Sequence, residues 1–118
     1  MNCVFCRIIN RDIPGVFVYE DDSIVAIVPK EKVSEGHLLV LPKSHYQDVF
    51  DINDSTLRNL VSISKKLSTE IVSKSSFTAV NLLNASGKDA QQSVLHFHLH
   101  IVPRKPDDGL DMWIQQNL

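Results

Sequence analysis

His96-Phe97-His98-Leu99-His100-Ile101-Val102 is the stretch that decides how this 118-residue chain is read. Imidazole and apolar side chains alternate with the period of an extended strand, in which successive side chains point to opposite faces. A strand from Val94 to Val102 carries His96, His98 and His100 on one face and Phe97, Leu99 and Ile101 on the other. Neighbouring histidines on that face stand roughly 6.5 Å apart, close enough for two to act on one small anion. Imidazole is the one side chain whose ordinary pKa lies between about pH 5 and 8, so it can serve as nucleophile, acid, base or metal ligand. Three of the chain's five histidines fall in these five residues. Several protonated rings on one face repel and burial favours the neutral form, so at least one is expected to be an uncharged nucleophile. The alternative is that all three converge on one metal ion.

Immediately before this stretch lies the polar loop 84–92, which contains Gly87. With Asn84, Gln92 and Ser93 it offers backbone N–H groups and small polar side chains of the kind that cradle a phosphate. Further upstream, the alternation and punctuation predict a short helical turn over Phe5–Ile9 and strands over Val16–Glu20 and Ser23–Val28. A third strand covers His37–Leu41, opened by Gly36 and closed by Pro42. Asn53 or Asp54 can cap a helix to about Ser73, with Leu57, Leu60, Val61, Ser64, Leu67 and Ile71 as its apolar stripe. Phe77–Leu83 reads as a fourth strand, and Pro103 ends the histidine strand. One long helix among four or five antiparallel strands is an α+β pattern, with helices segregated to one sheet face. Trp113 in the tail is expected to anchor against the domain or a partner subunit.

Composition sets the outer limits. With 43% apolar and 22% charged residues the sequence is that of a soluble globular chain, and 118 residues suit one domain with one core. A net charge of −2 argues against a nucleic-acid polymer as partner, because no basic stripe is present to neutralise phosphates. A free nucleotide needs only a local anion site. No apolar run is long enough to cross a bilayer, and the first residues lack a secretory leader, so a cytoplasmic protein is expected.

The two cysteines fall together in Cys3-Val4-Phe5-Cys6. A disulfide across so short a gap closes almost no loop and adds little stability. A redox pair of the thioredoxin kind expects a preceding strand, and none precedes it here. What remains is two ordinary buried cysteines or half of a zinc site that needs two further ligands. His45, three residues after Pro42, can combine with one strand histidine to complete such a Cys2His2 set.

The run His96-x-His98-x-His100-x-x resembles the signature of the histidine triad (HIT) superfamily. Gly36-His37-Leu-Leu-Val-Leu-Pro-Lys-x-His45 is similar to that family's second block, and Gln92-Ser93-Val94-Leu95 precedes the triad as it does there. The N-terminal Cys-x-x-Cys-x-Ile-Ile resembles the bacterial nucleotide-binding branch. The resemblance implies a single HIT-like domain over residues 1–118: an antiparallel sheet of about five strands, one long helix and a short N-terminal helix. It implies a homodimer that cleaves nucleoside 5′-phosphoramidates or related nucleotidyl phosphoanhydrides through a nucleotidyl-histidine intermediate. His98 would be the nucleophile, His100 would contact the α-phosphate and assist the leaving group, and His37 would support them. Asn84, Ser93 and the backbone around Gln92 would hold phosphate oxygens. A structural zinc would fall to Cys3, Cys6, His45 and His96. The sequence departs from the family pattern at Pro29, where an aspartate usually meets the ribose, and at Gln91, where glycine is common.

Overall fold

The computed structural model describes residues 2–114. Five strands form one antiparallel sheet in the order β1-β2-β3-β5-β4. They are β1 (Phe17–Glu20), β2 (Ile24–Ile27), β3 (Leu38–Pro42), β4 (Ala79–Leu83) and β5 (Leu99–Arg104). A short helix α1 (Val4–Ile9) precedes the sheet, and a 21-residue helix α2 (Asp54–Lys74) connects β3 to β4. The α+β architecture is the expected one.

Both central strands are buried on both faces, and strand alternation explains how. Ile24 and Ala26 of β2 and Leu38 and Val40 of β3 turn to one side, where they meet Leu60 and Leu67 of α2 together with Ile52, Phe97 and Ile101. Val25, Ile27, Leu39 and Leu41 turn to the other side, where Cys3 and Phe5 complete a second core with Ile8 and Ile9 beside it. The helices therefore cover opposite faces, not one. A six-residue helix lacks the length to signal its own packing partner in sequence. Its position follows from Phe5 and Cys3, which are both buried.

Each helix is held at its ends by the residues there. Cys3 caps α1, its Sγ accepting the Cys6 backbone N–H at 3.3 Å. Asn53 caps α2 through the Thr56 N–H at 2.8 Å, with Asp54 in the first turn and Lys74 in the last, as the helix dipole favours. Leu60, Ser64, Leu67 and Ser68 form the buried stripe of α2. Val61 stands off that stripe, 46% exposed, because it lies one residue round the helix from Leu60.

β5 begins later and ends later than the alternation suggests. Its ladder with β4 runs from Leu83↔His100 to Ala79↔Arg104 and passes through Pro103. Proline fits because β5 pairs with β3 only from Leu99 to Ile101, so no rung on that flank needs a donor from residue 103. Pro42 ends β3 on the same terms, inside the strand and beyond the last rung to β5. Gly36 turns into β3 with a φ of +80°, and a Cβ there would approach Pro103 Cγ to 3.1 Å. Only glycine serves both the backbone angle and the close approach. Trp113 is 72% exposed, so it does not anchor against the domain. Among the described residues no helix is long and apolar enough to cross a membrane.

Candidate active site and metal cluster

The histidine stretch lies on the α1 side of the sheet, and only His100 of the three sits within β5. His96 and His98 occupy the approach to the strand, bent over residues 94–96, where side chains still alternate but ladder bonds are missing. Other groups hold this approach. Phe97 N–H donates to the Tyr46 carbonyl at 2.7 Å, and the Asn84 amide Nδ2 donates to the His98 carbonyl at 3.0 Å. Asn84 follows the last β4 residue, so its side chain adds one more tie beyond the final backbone rung.

Hydrogen-bond partners fix the tautomer of each ring. A carbonyl can only accept, so His98 Nδ1 carries a proton and donates it to the His96 carbonyl at 2.8 Å. The Nε2 of neutral His98 is left with a free lone pair. His96 donates from Nε2 to the Pro42 carbonyl at 2.8 Å, which leaves its Nδ1 as an acceptor. The Val33 backbone N–H donates to His37 Nδ1 at 3.2 Å, so the His37 proton sits on Nε2 and is donated to His100 Nδ1 at 2.9 Å. His100 then presents an Nε2–H donor. The His98 and His100 ring centroids are 5.0 Å apart, so the free lone pair and the outward donor belong to one site.

Burial keeps these rings neutral. It pushes His100 down to about 4, with protonation of His98 and His37 opposed as like charges, and it lowers His37 as well. His98 is lowered by burial, partly offset by its bond to the His96 carbonyl. His96 falls to about 4 through burial, against the opposing pull of the Pro42 carbonyl.

His96 turns the other way and joins a separate cluster. Its Nδ1 lies 3.4 Å from Cys3 Sγ and 3.5 Å from Cys6 Sγ, and Cys6 Sγ lies 3.3 Å from His45 Nδ1. All four ligand atoms fall within 4.8 Å of one another. A tetrahedral zinc with bonds of about 2.0–2.3 Å requires ligand separations of roughly 3.3–3.8 Å. The donor set and the spacing fit zinc. Burial and the adjacent Cys3 thiol raise Cys6 to about 11, so a dication is what would draw off its proton at neutral pH. The Pro42 carbonyl, accepting from Nε2, orients the His96 ring so that Nδ1 points into the cluster. Among the described residues this is the only metal-capable group of three or more such side chains, so the strand histidines do not converge on one ion.

Phe5 was not singled out by any motif, yet it separates the two clusters. Its ring meets His96 edge-on at 5.9 Å and His98 edge-on at 5.2 Å. A burial pattern in α1 was the only available signal. The remaining expected site residues divide. Asn84 sits at the His98 carbonyl. The Gln92 side chain is committed to the chain itself: Oε1 accepts from Gly87 N–H at 2.8 Å, and Nε2 donates to the carbonyls of Gln47 and Val94. Ser93 is exposed and lines a cavity of about 440 Å³ with Cys3, His45 and Gln47. Ser93 thus stands on the metal side of the site.

Three imidazoles set on one face of an antiparallel sheet, with a Cys2His2 cluster sharing one of them, define a small α+β protein of the histidine-triad class. The comparisons agree. The model of the HIT domain matches residues 10–107. An uncharacterised HIT-like protein of Methanocaldococcus jannaschii is 40% identical over 107 residues, covering 91% of this chain and 82% of that protein. The adenylylsulfatase HINT3 of Arabidopsis thaliana is 36% identical, covering 99% of this chain and 58% of that longer protein. A zinc-bound histidine triad family protein from Mycobacterium smegmatis superposes with a TM-score of 0.90 at 31% identity, covering 99% of this chain and 85% of that one. The chain belongs to the HIT family.

Proposed function

We propose that the protein is a nucleotide-binding hydrolase that cleaves nucleoside 5′-phosphoramidates or related nucleotidyl phosphoanhydrides. One observation carries this reading: His98 is locked with Nδ1–H on the His96 carbonyl, leaving Nε2 as a free lone pair beside the His100 donor. In the first step His98 Nε2 forms a bond to the α-phosphorus and the bond to the leaving amine breaks. The amine takes its proton from solvent, and the nucleotide is left on His98. In the second step water attacks the phosphorus, releases a proton and the nucleoside monophosphate, and returns His98 to its starting state. His100 Nε2–H supplies a hydrogen bond to the phosphoryl oxygens or leaving atom, where charge develops. His37 holds His100 in that tautomer.

Asn84 and the backbone of the 84–93 loop hold phosphate oxygens, with Ser93 at the margin of the site. Zinc on Cys3, Cys6, His45 and His96 is structural, pinning α1 beneath the triad. The active form is a homodimer. Its support is β4, an edge strand of the sheet that leaves Leu82 43% exposed. Sedimentation at micromolar concentration tests it, and a monomer would refute it. The substrate is a free nucleotide derivative, with no nucleic-acid polymer or membrane partner, and the protein is cytoplasmic. The decisive test of the reaction is amine release from a panel of nucleoside 5′-phosphoramidates. Turnover by the intact protein that disappears in His98→Ala supports the reading. Nucleotide binding without turnover would make this a binding protein.

A further inference from the structure

Beyond the rings themselves, a line of hydrogen bonds runs from the loop after β3 to the nucleophile. The Val49 backbone N–H donates to Ser86 Oγ at 2.9 Å. The Ser86 hydroxyl donates to Asn84 Oδ1 at 2.8 Å, and Asn84 Nδ2 donates to the His98 carbonyl at 3.0 Å. Each link has a defined direction, because the Val49 amide can only donate and the His98 carbonyl can only accept.

Direction matters most at Asn84. A side-chain amide can rotate half a turn and exchange oxygen for nitrogen at nearly the same positions. The flipped amide would face the His98 carbonyl with an oxygen, and two acceptors would then repel. Ser86 disfavours the exchange: the Val49 N–H takes one of its lone pairs, and its hydroxyl proton is donated to the oxygen end of Asn84. The nitrogen end is thereby kept on His98, and its second hydrogen remains available to a phosphate oxygen.

The neighbourhood explains why the device is placed here. His98 precedes β5, and its carbonyl is held by the Asn84 side chain in place of a ladder partner. Two further ties bind the same pair of loops, Tyr46 carbonyl to Phe97 N–H and Gln47 carbonyl to Gln92 Nε2. Neither touches Asn84. Ser86 is half-buried, and its two partners are 37 and 2 residues away in sequence, so no local turn accounts for both bonds.

We propose that Ser86 is a positioning residue, which sets the orientation of the Asn84 amide and through it the placement of the His98 nucleophile. The catalytic consequence rests on the hydrolase reading above; the geometric one does not. Both are tested on the intact protein with Ser86→Ala and Ser86→Thr, using adenosine 5′-phosphoramidate as probe. We expect Ser86→Ala to lower kcat about tenfold with KM within about twofold, because a small misplacement of the nucleophile acts on the chemical step. Ser86→Thr, which keeps the hydroxyl, should recover most of the rate. NMR of the free protein gives a readout that needs no substrate. In Ser86→Ala the Val49 amide should exchange faster, and the Asn84 side-chain amide protons should lose their separate protected signals. Unchanged NMR signals in Ser86→Ala overturn the proposal outright. Equal kcat in an active wild type overturns its catalytic part. An inactive wild type with the expected NMR changes refutes the hydrolase reading and leaves the relay standing.

Discussion

His37 Nε2 stands 2.9 Å from His100 Nδ1, and the two rings stack at a centroid distance of 5.2 Å with 29° between their planes. Because Val33 already donates to the other nitrogen of His37, the proton between the rings belongs to His37. His37 thus determines which nitrogen His100 shows to a ligand. Replacing His37 with alanine should release His100 to either tautomer and lower kcat roughly tenfold. Glutamine, whose Nε2 can still donate to His100, should recover part of the loss. Steady-state kinetics of His37→Ala and His37→Gln check this, and equal losses in both would show that the donated proton is irrelevant.

His98→Ala removes the only ring in the site with a free lone pair. Amine release should fall about a thousandfold or more, while nucleotide binding measured by calorimetry stays within an order of magnitude.

Cys3→Ser combined with Cys6→Ser should abolish zinc retention and lower the melting temperature by roughly 10 °C or more. The unlinked N-terminus then leaves Phe5 without a fixed seat. Catalysis should persist at reduced rate, because His98 and His100 are not among the cluster's ligands. Metal content, melting temperature and turnover measured on one preparation decide it. Loss of all activity in a folded variant would mean that zinc acts in the reaction.

Acidification should destabilise the protein through its buried rings. His100 and His37 have folded pKa values below the ordinary value of 6.5, with His100 at about 4. Above pH 6.5 both states are neutral and the full stability is present. As pH falls from 6.5 towards 4, the unfolded chain takes up protons that the folded chain refuses, and stability is lost. Thermal unfolding followed from pH 7.5 to 4.5 should show this decline. It should be shallower in His100→Gln, which has no ring to titrate.

Leu60→Ala addresses the face that carries no chemistry. Leu60 is fully buried between α2 and the sheet. Its truncation should cost about 3 kcal/mol. The urea midpoint should fall with an unchanged slope, and kcat at low temperature should be unaffected.

Much of this was legible in sequence because side-chain type and period coincide. Ser23–Val28 and His37–Leu41 announced buried strands through β-branched and apolar runs, within a residue of the observed bounds, and Asn53 or Asp54 announced the start of α2. The Cys-x-x-Cys pair, His45 and the histidine run named the four residues that the fold gathers into one cluster. The limits of β5 were not legible. Alternation reports the facing of side chains, and residues 94–98 lie outside the ladder with a bend over 94–96, whereas Pro103 is paired on the single side that asks nothing of its nitrogen. The split of the triad came from the family resemblance and not from the strand period. Shared facing in a strand says nothing about ring rotation, and His96 is rotated by the Pro42 carbonyl, a partner 54 residues away. Phe5 and Ser86 were missed because their roles arise from contacts across the chain and not from any local pattern.

His96 gives its ring to the cysteines and its carbonyl to His98. For genetics only the first duty is written in the codon, because every residue carries a carbonyl. A substitution at position 96 would remove a cluster ligand and keep the acceptor for the His98 Nδ1–H. Starving the growing cell of zinc should therefore mimic that substitution without touching the gene.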